Sequence, residues 1–282
     1  MTQSVQAVLK QASQILVSSG VAGAQRDAKL LMAFVLGFEP HQVALHSDAM
    51  LDVDQELAFM ATIKQRASRV PISHILGYRD FFENRFILTP DVLDPRPETE
   101  QLVSHALCED FEAVLELGTG SGCILLSLLA KRTLAQGIGV EQSAKAIAVA
   151  KLNAQKLHLS ARVQLMVSNW FSEVPTTKFD LIVSNPPYIH PNAMAALSAE
   201  VLHEPELALT DHVDGLSHYR NIAKQAHNFL TPNGRLIFEI GFDQGDAVLK
   251  ILAQQKFCDI VILSDLNHHP RVVACRTSKL YT

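Results

Sequence analysis

The apolar positions along this chain change their period near residue 76. Before that point they recur at helical spacing. Val5, Val8, Leu9, Ala12, Ile15 and Leu16 share a helix that Gly20 stops. A second helix is expected from about Gln25 to Val35, ending near Gly37, and Pro40 opens a short third. Asp54 is placed to cap a fourth, with Leu57, Met60 and Ile63 or Lys64 along its inner and flanking faces. Residues 80–88 then read as a hairpin with Glu83-Asn84 at its turn. From about residue 96, short apolar runs alternate with helical stretches. Strands are expected near 113–117, 137–140, 162–167, 179–184, 234–240, 258–263 and 271–276, and helices near 98–109, 122–132, 143–156, 216–230 and 243–255. Such alternation implies an α/β fold with a largely parallel sheet covered on both faces. The expected division is a helical domain over 1–75, a hairpin linker over 76–95 and an α/β domain over 96–282.

Composition narrows the picture by exclusion. A chain of 282 residues, 48% apolar, can bury a sizeable core. Its net charge of −5 leaves no basic footprint for nucleic acid. The first 75 residues carry six basic and six acidic side chains, which suits a scaffold or partner-docking module better than a DNA-reading domain. Cys108, Cys123, Cys258 and Cys275 show no close pairing and read as reduced thiols. No apolar run is long enough to span a bilayer, so the expectation is a soluble cytoplasmic protein. The twelve histidines show no metal-ligand spacing, and no metal site is expected. Residues 190–215 contain Glu200, Glu204, Glu206, Asp211 and Asp214 but no Lys or Arg. They read as a solvated loop or as an acidic rim that receives a substrate and repels phosphates.

Two motifs carry chemistry. The apolar run Val114-Leu115-Glu116-Leu117 leads into Gly118-Thr119-Gly120-Ser121-Gly122 and then a helix. Glycines there let the backbone turn sharply and approach a ligand. Glu141 follows at the end of the next expected strand, at the distance where an acid binds a ribose hydroxyl pair. By itself this pattern also fits nucleotide-dependent dehydrogenases. Asn185-Pro186-Pro187-Tyr188 follows the apolar run 179–184 and decides between cofactors. Adjacent prolines cannot continue a strand, so the chain leaves the sheet in a rigid turn. The Asn185 amide oxygen and the Pro186 carbonyl can accept both hydrogens of a planar NH2 group, Tyr188 can stack on its face, and Pro187 stiffens the turn. Such a site suits transfer of a methyl group from S-adenosylmethionine to an amine or amide. Gly118, Glu141, Asn169 and Asn185 each follow an expected strand and should converge on one sheet edge.

The chain resembles the HemK/PrmC family of protein-(glutamine-N5) methyltransferases that act on peptide chain release factors. The carriers are Leu76 to Phe82, Thr89 to Leu93, Pro95-Arg96-Pro97-Glu98-Thr99-Glu100, Leu115 to Gly122, Ser184 to Ile189, and Glu204-Pro205. The resemblance implies a class I, Rossmann-like methyltransferase domain whose seven-stranded sheet closes in an antiparallel hairpin. It also implies N5-methylation of the glutamine in the Gly-Gly-Gln motif of class I release factors, with the helical domain docking that substrate and no direct nucleic-acid partner. Asn185, Pro186 and Tyr188 would then be catalytic, and Asn185 to Tyr188 would hold the substrate. Gly118, Thr119, Gly120, Ser121, Gly122, Glu141, Asn169, Trp170 and Asn185 would bind S-adenosylmethionine, with Asn169 and Trp170 at the adenine. Asn169 stands where most of the family has an acid, and Glu141 where Asp is commoner. The Pro95 to Glu100 block reads either as a wall of the active site or as a helix start with acids in its first turn. Asp94 departs from the family's apolar residue. The alternatives are a glutamine methyltransferase for a ribosomal protein, an adenine-N6 DNA methyltransferase and a non-catalytic module that keeps the cofactor fold.

Overall fold

In a computed structural model, which describes residues 3–265 and 267–278, the chain divides into two units. Residues 1–2 and 279–282, the extreme ends of the first and last expected domains, lie outside the described residues. One unit comprises residues 1–78 together with 198–203; the other comprises 79–197 and 204–282.

The smaller unit is helical: α1 (Val5–Ser18), α2 (Ala24–Leu36), α3 (Val53–Ala67) and α4 (Ile72–Leu76), with a 3-10 turn over Gln42–His46. Its core joins Val5, Val8, Ala12 and Leu16 of α1 to Leu31 and Met32 of α2 and to Phe59 and Ile63 of α3. Two expectations for α3 need correction. Its cap is Asp52, not Asp54: Asp52 accepts from the Gln55 amide at 2.8 Å, and Gln55 reaches back to the Asp52 amide at 3.1 Å. The buried face runs through Phe59, Ile63 and Arg66, leaving Leu57 64% exposed. Arg66 is buried because Asp27, also buried, accepts its Nε at 2.8 Å. Glu200 completes the cluster, accepting from Arg66 at 3.0 Å and from Arg69 at 2.6 and 2.7 Å.

The hairpin pairs β1 (Tyr78–Phe81) with β2 (Asn84–Ile87). Its turn is Phe82-Glu83, one residue earlier than expected. Both residues have positive φ, as a two-residue hairpin turn with the strands' own twist requires.

The larger unit follows as α5 (Glu100–Ala106), β3 (Ala113–Leu117), α6 (Cys123–Lys131), β4 (Gln136–Glu141), α7 (Ala144–Lys156), β5 (Val163–Val167), β6 (Phe179–Ser184), α8 (Ser217–Ala226), β7 (Leu230–Glu239), α9 (Gly245–Gln254), β8 (Cys258–Ser264) and β9 (Pro270–Arg276). The sheet order is β5-β4-β3-β6-β7-β9-β8. Pairings are parallel from β5 through β7, and β9 runs antiparallel to both its neighbours. Central strands are apolar on both faces. Val114, Leu181, Val183 and Ile237 pack toward α5 and α6, while Leu115, Leu117, Ile182 and Phe238 pack toward α8 and α9. β4 leaves from one side of β3 and β6 returns on the other, so the strand order reverses at β3. A crevice is expected above the carboxyl ends of those strands.

Candidate active site

That crevice is present. A cleft of about 880 Å³, measured out to its open mouth, is lined by Gly118, Gly120, Glu141, Ser168, Asn169, Trp170, Asn185, Pro187 and His218, among others. Six expected cofactor residues therefore share one wall system: Gly118 and Gly120 after β3, Glu141 ending β4, Asn169 and Trp170 after β5, and Asn185 after β6.

The glycine loop turns because Gly118, Gly120 and Gly122 all adopt positive φ, at 74°, 52° and 81°. The Gly118 and Thr119 amides both donate to the Val140 carbonyl at 2.9 Å, which stitches the loop to β4. Glu141 accepts from the Gly120 amide at 3.1 Å and from the Ser143 amide at 3.1 Å, so its carboxylate is held at the cleft by backbone alone. Thr119 and Ser121 are buried and Gly122 heads α6; none of the three lines the cleft. The Thr119 hydroxyl instead donates to Glu116, whose carboxylate also accepts from the Leu125 amide at 3.2 Å. Burial pushes the Glu116 carboxyl up to about 8.

Trp170 packs over the loop and lies 4.8 Å, centroid to centroid, from the His218 ring. Burial lowers the His218 pKa below its ordinary value, which favours a neutral ring beside the indole. The sequence reading missed His218: a lone histidine in an amphipathic helix carries no signal of its own.

The Asn185–Tyr188 turn is pinned from behind. Ser184 donates its hydroxyl to the Leu117 carbonyl at 2.7 Å. The Gln244 amide donates to the Tyr188 carbonyl at 3.0 Å and to the Gly215 carbonyl at 3.1 Å. Pro186 is buried and Tyr188 half-buried against the α8–β7 apolar cluster, so neither is on the cleft wall itself. Burial raises the Tyr188 phenol, and nearby Glu239 raises it further, so the hydroxyl stays protonated.

Asp94 gains an explanation. It is buried beside two guanidinium groups, with Arg79 at 3.5 Å and Arg96 at 3.9 Å. Arg96 also donates to Glu204 at 2.6 Å, and Glu204 accepts from the Asp94 amide at 3.1 Å. The acids of 190–215 are thus only in part a solvated rim: Glu204 and Asp211 are buried, whereas the Glu206 side chain is 69% exposed. Asp211 is buried, and although burial alone would raise its carboxyl, four donors hold it low: the Ser217 hydroxyl at 2.6 Å and the amides of Val213, Gly215 and Ser217, each at 2.9 Å. Asp214 pairs with Arg220 at 2.8 Å. Among the described residues, no cluster of His, Cys, Asp and Glu could hold a metal ion, and no helix is long and apolar enough to cross a membrane.

The strand order, the antiparallel strand β9 next to the sheet edge and the glycine loop bonded to an acid at the cleft define a class I methyltransferase. A methyltransferase of Pyrococcus furiosus shares this fold, with a TM-score of 0.54 and 15% identity over 68% of this chain and 88% of that one. Residues 7–77 match the PrmC N-terminal domain and residues 91–212 the methyltransferase small domain. The release factor glutamine methyltransferase of Cereibacter sphaeroides is 44% identical over 95% of this chain and 96% of its own length. That of Caulobacter vibrioides is 36% identical over 92% and 91%. The chain belongs to the release factor glutamine methyltransferase family.

Proposed function

We propose that this chain transfers a methyl group from S-adenosylmethionine to the side-chain amide nitrogen, N5, of the glutamine in the Gly-Gly-Gln motif of class I release factors, in the cytoplasm. The observation that carries this reading is the placement of Asn185 on the same cleft as Gly118, Gly120, Glu141 and Trp170. The residues suit the methyl donor. Glycine turns leave room for close backbone approach, the Glu141 carboxylate stands where a ribose would lie, and Trp170 offers an aromatic face. When bound, S-adenosylmethionine supplies a methyl group on a sulfonium, an electrophile that needs no activation.

The protein's task is then to make a poor nucleophile react. An amide nitrogen delocalises its lone pair into the carbonyl. Asn185 Oδ1 and the Pro186 carbonyl accept its two N–H bonds, raise its electron density and stabilise the positive charge that develops in the transition state. We assign Tyr188, whose ring packs beside the cleft lining, to the face of the amide, and the helical unit to docking the release factor. Orientation accounts for much of the remaining acceleration.

The test is methyl transfer from labelled S-adenosylmethionine to a purified release factor and to its variant lacking the motif glutamine, with ribosomal proteins and duplex DNA in parallel. Label is expected in the intact release factor alone. Label in a ribosomal protein or in DNA would overturn the substrate but keep the acceptor geometry. Asn185→Ala should lose about 3 kcal/mol of transition-state stabilisation, on the order of a hundredfold in rate. A loss below about tenfold with folding intact would remove Asn185 from its role.

A further inference from the structure

Among the buried carboxyls of the larger unit that take no part in the steps above, Glu116 and Glu239 are the most deeply buried. Glu116 accepts at Oε2 from the Thr119 hydroxyl and the Leu125 amide, at the glycine loop and the start of α6, and its Oε1 has no partner. Glu239 stands elsewhere. It ends β7, is 2% exposed, and its Oε2 has no hydrogen-bond partner. The parallel register pairs Ser184 with Phe238, so Asn185, the first residue past β6, and Glu239, the last of β7, each follow a paired residue at the same edge of the sheet. The Asn185 amide and the Tyr188 phenol lie close enough to act on this carboxyl, while the buried Thr99 hydroxyl, like Glu239 Oε2, has no hydrogen-bond partner. The strand end beneath it is fixed, because the Tyr219 hydroxyl donates to the Glu239 carbonyl at 3.0 Å.

An ionised carboxylate accepts hydrogen bonds and donates none. An asparagine facing it must offer Nδ2 and turn Oδ1 away. We propose that Glu239 is a positioning residue: it fixes the Asn185 amide with Oδ1 toward the substrate nitrogen and holds the Tyr188 hydroxyl as a donor. Without it the Asn185 side chain can turn over and set NH2 against the substrate's NH2, donor against donor. The inference rests on the acceptor role of Asn185.

The charge state makes the idea measurable. Burial raises the Glu239 carboxyl to about 7, with Glu98 raising it further and Thr99, Arg271 and Asn185 holding it down. Tyr188, Tyr219 and the Cys123 thiol also face it, and burial keeps all three protonated. The accepting, ionised form therefore grows as pH rises through about 7. Turnover should rise along that limb, because a protonated carboxyl can donate to Asn185 Oδ1 and stabilise the wrong orientation.

The experiment uses the full chain as wild type, Glu239→Gln, Glu239→Asp, Asn185→Ala and the Asn185→Ala/Glu239→Gln double variant. It reads kcat and KM for the release factor from about pH 6 to 8, S-adenosylhomocysteine affinity by calorimetry, and thermal unfolding. Glu239→Gln is expected to lose about tenfold or more in kcat with KM and S-adenosylhomocysteine affinity within about twofold, and to lose the limb near neutrality. Glu239→Asp should recover part of the rate. The double variant should be no slower than Asn185→Ala alone, since a residue acting through Asn185 adds nothing once Asn185 is gone. A wild type without the limb overturns the proposal, and that reading depends on no variant folding. So does a Glu239→Gln enzyme with wild-type kcat, or one whose lost rate is matched by equal loss of S-adenosylhomocysteine affinity. An inactive Asn185→Ala beside a wild-type Glu239→Gln sinks only the role of Glu239, whereas an active Asn185→Ala sinks the acceptor assignment itself.

Discussion

Gly215 offers the sharpest test of how the catalytic turn is held. It lies in the larger unit with φ of +72°, its amide donates to Asp211 at 2.9 Å, and its carbonyl shares the Gln244 amide with that of Tyr188. A Cβ added there would sit 2.4 Å from the Tyr188 carbonyl oxygen and 3.0 Å from Gln244 Nε2. Ordinary carbon-to-oxygen contacts begin near about 3.3 Å, so the Tyr188 backbone must retreat by roughly 1 Å. Left-handed backbone costs an alanine about 1–2 kcal/mol, and overpacking adds about 1–3 kcal/mol. Gly215→Ala should therefore destabilise by roughly 2–5 kcal/mol in total. A displacement of this size at a reacting centre can cost on the order of a hundredfold in rate. Gly37→Ala is the control: φ is +68°, but nothing lies within 4 Å of the added Cβ. It should show the backbone cost alone, about 1–2 kcal/mol, and an unchanged rate. The assay is single-turnover methyl transfer beside denaturant unfolding and S-adenosylhomocysteine calorimetry. A Gly215→Ala enzyme within about threefold of wild type, or a Gly37→Ala enzyme slowed equally, would show that this contact does not position the turn.

Three further outcomes follow from the same structure. Glu116 titrates near 8 when folded against 4.5 for the ordinary carboxyl, so the unfolded chain releases this proton first and stability falls as pH climbs from about 4.5 to 8. Glu116→Gln should gain stability relative to wild type across that window, with no difference below it; parallel pH–stability curves from denaturant titrations would refute the assignment. Trp170 is the chain's one tryptophan and lines the cleft, so adding S-adenosylhomocysteine should change the intrinsic emission. A flat titration, with binding verified by calorimetry, would place the ligand elsewhere. Asp27→Ala strips a buried partner from Arg66 and should cost about 3–5 kcal/mol, whereas Leu57→Ala, on an exposed side chain, should stay within about 0.5 kcal/mol by denaturant unfolding.

What was legible in the sequence is what neighbours in the chain decide. Strand and helix positions followed from periodicity, and Gly118, Glu141, Asn169 and Asn185 were expected at one edge because each follows a strand. The errors for α3 and the hairpin are local competitions. Asp52 and Asp54 are both plausible caps, and only Asp52 has Gln55 in the reciprocal position. What could not be read were partnerships across the fold. Asp94 and Glu204 are 110 residues apart, and neither has a charged neighbour in sequence that announces the other. Glu239 looks like one more polar residue at a strand end until the register of β6 and β7 puts it beside Asn185. Sheet register and strand order are set by packing over the whole unit, and no window of residues carries them.

The insertion after the catalytic turn shows how this changes a functional argument. Five acids without a basic residue suggest a negative surface that repels phosphates. In the fold, Glu200 is neutralised by Arg66 and Arg69, Glu204 by Arg96, and Asp214 by Arg220, while Asp211 is spent on backbone amides and Ser217. Glu206, 69% exposed, keeps its charge at the surface, and salt screens that field beyond a Debye length, about 8 Å at physiological salt. On the proposed mechanism, discrimination between a glutamine amide and an exocyclic base amine falls to contacts at short range: the acceptor pair we assign to Asn185 and Pro186, the face of Tyr188, and the docking of the protein that carries the glutamine. Specificity of that kind is built from shape and hydrogen bonding, and it resides in the same turn that Glu239, Gln244 and Gly215 hold in place.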